Sequence, residues 1–298
     1  MFVAPGDTIE GVDLEDGFLR GHGTQVVNGR LLATVCGTVE RVNKLVSVRP
    51  LRTRYVPETG DVVLGRVTEI AGKRWKLDIG SRQDAILQLG AAHLPGGVQR
   101  RRDEHDELHM RDLYAETDLV SAEVQSFYAD GAVALHTRSL KYGRLDRGQL
   151  VRVPPTLVKR IKRHFAAVDV PAGGKTIPVA LLLGCNGFVW VGAPSVGGSS
   201  GEDAGTDAAS PPEAASVGGS GGAVGPVDAT TREAMCRAAN ATRALAALFL
   251  AIHPTAVEDV ARASAEWGVA PKDMLGAGFL RRTLERETER RVARGGAW

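Results

Sequence analysis

The chain has 298 residues, of which 43% are hydrophobic and 24% charged, so it can bury the cores of two or three ordinary domains. This composition excludes a wholly disordered protein. The longest apolar runs fall short of the roughly 18 to 20 residues that cross a bilayer, and three widely spaced cysteines fit neither a disulfide framework nor a paired-cysteine zinc site. We expect a protein of a reducing compartment that is neither secreted nor membrane-spanning.

The net charge of +2 conceals a strong segregation along the chain. Residues 41–55 carry five Lys or Arg and no acid, and residues 136–165 carry nine against Asp146 alone. Residues 1–40, by contrast, sum to −4. Because counterion release rewards a local cluster of cations, this pattern predicts a polyanionic partner bound at selected surfaces. A solvated charged face is the alternative interpretation.

The first 55 residues predict a small β-sheet module. Turn signals at Pro5-Gly6-Asp7, Gly21-His22-Gly23 and Asn28-Gly29 separate short apolar runs such as Leu31–Val35 and Leu45–Val48.

Residues 56–143 predict a five-stranded OB barrel. Trp75 alternates with polar neighbours in the pattern of a half-buried strand, which favours a core position over a stacking platform. Later strands are expected at Leu119–Val124 and Ala132–His136, joined through Asp130-Gly131. An OB barrel exposes a strand face and loops that bind single-stranded nucleic acid.

Residues 144–298 predict an α+β module. Its expected elements are an amphipathic helix at Pro155–Ala167, a strand pair at Ile177–Leu183 and Phe188–Val191, a disordered insertion over residues 195–230, and C-terminal helices with capping-box spacing at Thr230/Glu233 and Thr255/Glu258. The fold class is therefore multidomain, mostly β and then α+β.

Three catalytic look-alikes do not meet their structural requirements. Two nucleophile-elbow strings lie in the low-complexity insertion, without the required strand and helix. His105 and His109 have the spacing of a zinc hydrolase pair, but Asp106 replaces the general-base glutamate. Gly173-Gly174-Lys175-Thr176 lacks the first glycine of a phosphate-binding loop and is interpreted as a hairpin turn. We expect no catalytic residue, no metal and no cofactor.

The binding signals are stronger. Cations surround the predicted barrel with an aromatic residue among them, a mixture that holds phosphates and stacks bases. The candidate RNA-binding residues are Lys73, Arg74, Lys76, Arg82, Arg138, Lys141 and Arg144.

Several long segments resemble the family of exosome cap subunits called ribosomal RNA-processing protein four. The resemblance covers about residues 3–192. It is carried by Pro5–Ile9, Gly17–Thr24, Val39–Leu45, Gly65–Glu69, Lys73–Lys76, Leu94–Gly97 and His136–Gly143.

The resemblance implies a non-catalytic subunit with an N-terminal β domain (1–55), an S1-type OB domain (56–143) and a KH-type domain (144–298). In that family a Gly-x-Asn-Gly turn, matched by Gly184, Asn186 and Gly187, replaces the usual RNA-clamping Gly-x-x-Gly of KH domains. We interpret this turn as structural packing. The 195–230 insertion looks unlike the family.

The function that follows is an RNA-binding cap of the eukaryotic exosome that guides RNA 3′ ends into the channel. Its implied partners are RNase PH-like ring subunits, other cap subunits, single-stranded RNA and, indirectly, catalytic nucleases, with no membrane. We expect it in the nucleus and nucleolus and also in the cytoplasm. Two alternatives are a free single-strand RNA-binding regulator and a stand-alone exoribonuclease.

Overall fold

A computed structural model describes residues 2–9, 17–50, 52–93, 104–139, 141–159, 161–193 and 227–293. The chain divides into two compact units, residues 1–53 and 54–298. The first unit thus ends at residue 53, whereas the predicted first domain ends at residue 55. Tyr55 is buried in the core of the second unit and donates a hydrogen bond to Asp61 (2.6 Å). Within the described ranges, no helix combines the length and the apolar character needed to cross a membrane.

The first unit is a small β module. Its strands are β1 (Phe2–Val3), β2 (Leu19–Arg20), β3 (Thr24–Val27), β4 (Arg30–Ala33), β5 (Gly37–Val42) and β6 (Leu45–Pro50). A sheet of order β1-β5-β6-β2 accompanies a β3–β4 hairpin. The hairpin turns through Asn28 and Gly29, both with positive φ (50° and 76°), which is the conformation that an Asn-Gly pair adopts readily.

The second unit begins with a closed barrel. Its strands are β7 (Val62–Ala71), β8 (Arg74–Asp78), β9 (Ala85–Gln88), β10 (Leu119–Phe127) and β11 (Val133–His136), with the short β12 (Gly143–Arg144) beside β10. The barrel closes because β11 pairs with both β9 and β10. Two short helices, α1 (Glu104–Leu108) and α2 (Met110–Leu113), precede β10. The predicted five-stranded OB barrel is confirmed.

A second sheet follows the barrel in the same unit. It contains β13 (Gly148–Arg152), β14 (Phe165–Ala172), β15 (Lys175–Leu183) and β16 (Phe188–Gly192) in the order β13-β16-β15-β14. Helices α3 (Ala229–Ala247), α4 (Pro254–Glu266) and α5 (Ala277–Ala293) come last in the chain. Because side chains alternate along a strand, Leu181 and Leu183 join the core with the helices, whereas Ala180 and Leu182 pack with barrel residues.

The predicted helix over Pro155–Ala167 is wrong. A 3₁₀ turn at Pro155–Leu157 leads into a loop, and the chain then enters β14 at Phe165. From Val168 to Ala172 buried and less buried residues alternate, and every residue of β14 pairs with one of β15. Strand pairing with β-branched residues therefore outweighs a helical spacing formed by only three apolar positions.

The predicted helix caps are also wrong. Asp228 is the N-cap of α3, so Thr230 lies inside the helix, and the predicted insertion ends earlier than residue 230. Residues 195–226 of that insertion lie outside the described residues. At α4 the N-cap is His253, whose Nδ1 accepts a hydrogen bond from the backbone N–H of Ala256 (3.2 Å). Pro254 occupies the first helical position, which needs no N–H donor.

The turn between β15 and β16 joins the second sheet to the barrel. Asn186 is buried, and its Nδ2 donates to the carbonyls of Leu64 (2.7 Å) and Ile79 (2.8 Å) while its Oδ1 accepts from the Leu64 N–H (3.4 Å). Gly187 has φ 79°, and a Cβ on Gly184 would lie 2.8 Å from the Phe188 carbonyl oxygen. Glycine is therefore required at positions 184 and 187, and the side-chain amide of Asn186 between them binds the barrel backbone.

Replacing Asn186 should destabilise the second unit. Asn186→Ala leaves two barrel carbonyls and one N–H without their partner, and each buried unsatisfied group costs about 1–3 kcal/mol. We expect the free energy of unfolding to fall by at least about 3 kcal/mol, measured by urea denaturation. Asn240→Ala is the control, because its partly buried amide donates to a single carbonyl, that of Pro271 (2.8 Å), and accepts only from the Arg243 side chain (2.7 Å) among the described residues. Equal, small losses for both variants would contradict this role.

Candidate nucleic-acid interface

The β7–β8 hairpin brings three of the predicted RNA-binding cations together. Lys73 lies in the turn, and Arg74 and Lys76 lie on β8. Trp75, between them, is fully buried and its indole N–H donates to the Tyr114 carbonyl (3.0 Å). The core position of Trp75 is therefore confirmed, and strand alternation directs Arg74 and Lys76 away from the core.

Two of these three cations have acidic partners. Lys73 Nζ lies 3.4 Å from a carboxylate oxygen of Glu107 on α1, and Lys76 Nζ lies 2.7 Å from one of Glu69. The hydrogen bond from Lys76, assisted by its charge, lowers the pKa of Glu69. Arg74 makes no ion pair with any residue that the structure describes. A phosphate would thus meet Arg74 without competition, and Lys73 and Lys76 by exchange with exposed carboxylates.

A shallow depression lies beside this hairpin. It is lined by Ala71, Gly72, Lys73, Arg74, Gln88, Leu89 and Gly90. On the neighbouring strand, the Gln88 side chain donates to the hydroxyl of Tyr128 (2.9 Å), and Phe127, which precedes Tyr128, is 47% exposed. Apolar floor, cations and nearby aromatic rings are the combination that holds single-stranded nucleic acid.

Sequence reasoning missed Gln88, Phe127 and Tyr128. The two aromatic residues directly precede the Asp130-Gly131 turn, so an aromatic pair at a loop of the barrel was the available signal. Gln88 gave no signal, because its relevance depends on the pairing of β9 with β8, which places it opposite Arg74.

A second set of predicted cations lies around β12. Arg138 and Lys141 lie in the connection from β11, both exposed, and Lys141 Nζ lies 4.9 Å from the centre of the Tyr142 ring. Arg144 on β12 contacts Asp146 (3.0 Å) and Asp118 (3.5 Å). The two carboxylates partly neutralise Arg144, so Arg138 and Lys141 are the stronger candidates for phosphate contact.

The Tyr142 hydroxyl is held as a neutral donor. It donates to Glu123 (2.7 Å), and burial, with the carboxylate next, raises the pKa of Tyr142 well above its usual range. The phenol therefore adds no negative charge beneath Lys141 at physiological pH.

The structure does not bring all seven predicted residues together. Arg144 is opposite Val120, which is opposite Gly65, whereas Arg74 is opposite Ala71. Six residues of β7 separate the two positions, roughly 20 Å at about 3.3 Å per residue. Arg82 is exposed in the β8–β9 connection, apart from both sets. The seven cations thus form two sets and a single arginine. The β7–β8 set contains Lys73, Arg74 and Lys76, and the β12 set contains Arg138, Lys141 and Arg144.

Comparison with known proteins identifies the family of this chain. Residues 2–42 match "Exosome complex exonuclease RRP4 N-terminal region", residues 54–126 match "RRP4, S1 domain" and residues 148–197 match "KH domain". An Arabidopsis thaliana protein, "Exosome complex component RRP4 homolog", is 43% identical over 280 residues, which cover 94% of this chain and 84% of that protein. The chain belongs to the RRP4 family.

Two other RRP4 proteins match a shorter region. "Exosome complex component RRP4" of Bos taurus is 54% identical over 189 residues, 63% of this chain and 61% of that protein. The Saccharomyces cerevisiae protein of the same name is 46% identical over 191 residues, 64% of this chain and 50% of that protein. The predicted family, with its S1 and KH domains, is confirmed.

The β7–β8 set predicts a salt-sensitive, sequence-independent contact with RNA. The double variant Lys73→Gln/Arg74→Gln should weaken binding similarly for several single-stranded sequences, because phosphate contacts carry no base information. For single strands the slope of log K against log salt is roughly 0.7 per phosphate contact, so two lost contacts should flatten it by about 1.4. The measurement is a salt series on the assembled complex.

The matched control removes two lysines of the second unit that lie outside both sets. Lys175, at the β14–β15 turn, and Lys272, between α4 and α5, are both exposed. Lys175→Gln/Lys272→Gln should leave the slope unchanged. Equal slopes for the two double variants would show that Lys73 and Arg74 face solvent or a protein neighbour.

Proposed function

We propose that the protein is a non-catalytic, RNA-binding cap subunit of the eukaryotic RNA exosome. It stabilises a ring of RNase PH-like subunits and guides RNA 3′ ends into the channel for rRNA processing and RNA decay. The observation that carries the proposal is the order of three matched regions along one chain, RRP4 N-terminal, RRP4 S1 and KH. Exposed cations on the S1 barrel supply the electrostatic attraction that RNA binding requires.

The non-catalytic part of the proposal rests on how the look-alike motifs fold. Gly173 and Gly174 have φ 56° and 75° and form the tight turn between β14 and β15, not a phosphate loop before a helix. The His109 ring is held by Asp112 (2.7 Å). Among the described residues there is no group of three or more His, Cys, Asp or Glu side chains arranged to hold a metal ion.

The proposed absence of catalysis is tested directly, since the matched N-terminal family carries "exonuclease" in its name. The purified chain, supplied with Mg²⁺ or with phosphate, should leave single-stranded RNA intact over hours, as read on a denaturing gel. Degradation that co-elutes with the chain and disappears in His105→Ala would favour the stand-alone exoribonuclease instead.

Docking on the ring is proposed for the first unit. The outer face of its sheet places Leu19, Leu45 and Val42 next to one another in register, with 63%, 41% and 63% of their surfaces exposed. Val42 and Leu45 lie within segment 41–54, which is basic and free of acids. An apolar cluster bordered by charge is typical of a protein-binding surface. We propose a nuclear, nucleolar and cytoplasmic location.

Removal of the first unit should abolish assembly. A deletion of residues 1–53 preserves Tyr55 in the barrel core, so residual RNA binding should remain. Val42→Asp/Leu45→Asp should weaken co-purification of ring subunits at least tenfold, because two carboxylates would be buried in the interface. Val26→Asp/Val27→Asp, on the β3–β4 hairpin, is the control of equal charge. Normal assembly of the deletion would contradict docking through the first unit, and failure of the wild-type chain to co-purify with ring subunits would favour a free RNA-binding regulator.

A further inference from the structure

The segment between the 3₁₀ turn and β14, residues 158–164, is here named the basic loop. It holds four cations in five positions, Lys159, Arg160, Lys162 and Arg163. Of these, Lys159, Lys162 and Arg163 are described, and all three are exposed and form no ion pair with another described residue. Neighbouring like charges repel one another, so the fold itself gains nothing from this concentration.

The backbone of the basic loop is fixed at both ends. Val158 is buried and bridges to Ile252, whose carbonyl accepts from the Lys159 N–H (3.2 Å). At the other end the Leu183 N–H donates to the His164 carbonyl (3.0 Å), and the His164 ring contacts the Leu183 carbonyl (2.8 Å). In between, Ile161 packs against the helical core. Lys159, Lys162 and Arg163 are therefore exposed on a segment anchored at both ends, which reduces the entropy lost on binding.

The basic loop also continues a surface already described. Phe165 follows it directly, and the Phe165 ring lies 5.9 Å from the Tyr142 ring, centre to centre. Lys141 Nζ lies over the other ring of this pair, at 4.9 Å from the centre of Tyr142. Lys141 thus lies over one ring of an aromatic contact between barrel and second sheet, and the basic loop leads directly into the residue that supplies the other ring.

We propose that the basic loop is a second RNA-binding site, which holds backbone phosphates of the strand that reaches the β12 set. The proposal rests on the proposed function in that single-stranded RNA is the ligand. The KH turn around Asn186 cannot act as a clamp while its amide binds the barrel backbone. Phosphate contact on the KH domain is therefore supplied by Lys159 and Lys162, by charge and without base recognition.

The test compares the full-length double variant Lys159→Gln/Lys162→Gln with the control Lys175→Gln/Lys272→Gln. Binding of a single-stranded oligonucleotide is measured across a salt series. The loop variant should flatten the slope of log K against log salt by about 1.4, since two phosphate contacts are lost at roughly 0.7 each. The control should keep the wild-type slope. Lys159→Arg/Lys162→Arg should restore it, which separates charge from any effect on folding.

The outcomes distinguish the two proposals. A wild-type slope in the loop variant, together with a flattened slope in Lys73→Gln/Arg74→Gln, would overturn the second site and leave the proposed function intact. Absence of RNA binding by the wild type would overturn both. Polyglutamate serves as a second probe, because a loss confined to polyglutamate would assign the basic loop to an acidic protein partner and overturn the RNA site.

Discussion

One buried carboxamide determines how the S1 barrel and the KH domain fit together. The Asn186 side chain satisfies a backbone donor and two backbone acceptors of the barrel. A buried polar group is stabilising only when its partners are in place. The β15–β16 turn is therefore fixed against the barrel by hydrogen bonds as well as by apolar packing. Asn186 is buried in this contact, whereas the corresponding turn of other KH domains clamps RNA.

Nearby acidic residues reduce the positive charge of the proposed RNA-binding surfaces to different degrees. Glu107, Glu69, Asp118 and Asp146 each hold one of the predicted cations, whereas Arg74 makes no ion pair among the described residues. Exposed ion pairs contribute about 0–1 kcal/mol and exchange easily. Such pairs lower the local positive charge without removing the capacity of these cations to bind phosphate.

Much of the fold could be predicted where one local rule dominated. The alternation around Trp75 predicted a half-buried strand, and Asn28-Gly29 predicted a hairpin turn, because both signals depend only on neighbours in sequence. The interpretation failed at residues 155–167, where three apolar positions at helical spacing competed with long-range pairing to β15. The candidate site was harder to predict from the sequence than the fold. Grouping of the cations depends on strand register, and the partners of Asn186 lie 107 and 122 residues away along the chain.

Strands β15 and β16 pack against the helices on one face and against the barrel on the other. This arrangement affects how the chain folds while it is being synthesised in the cell. Val62 and Leu64 pack against Leu182, Phe188 and Trp190, which the ribosome adds more than a hundred residues later. At about 5–20 residues per second, the 50 residues between His136, where β11 ends, and Asn186 correspond to a delay of roughly 2.5–10 s. The nascent barrel therefore presents an apolar flank and unpaired carbonyls for seconds after its last strand has been synthesised. Transiently exposed apolar surface favours aggregation and chaperone binding, so a pause in translation over this stretch lengthens the exposure.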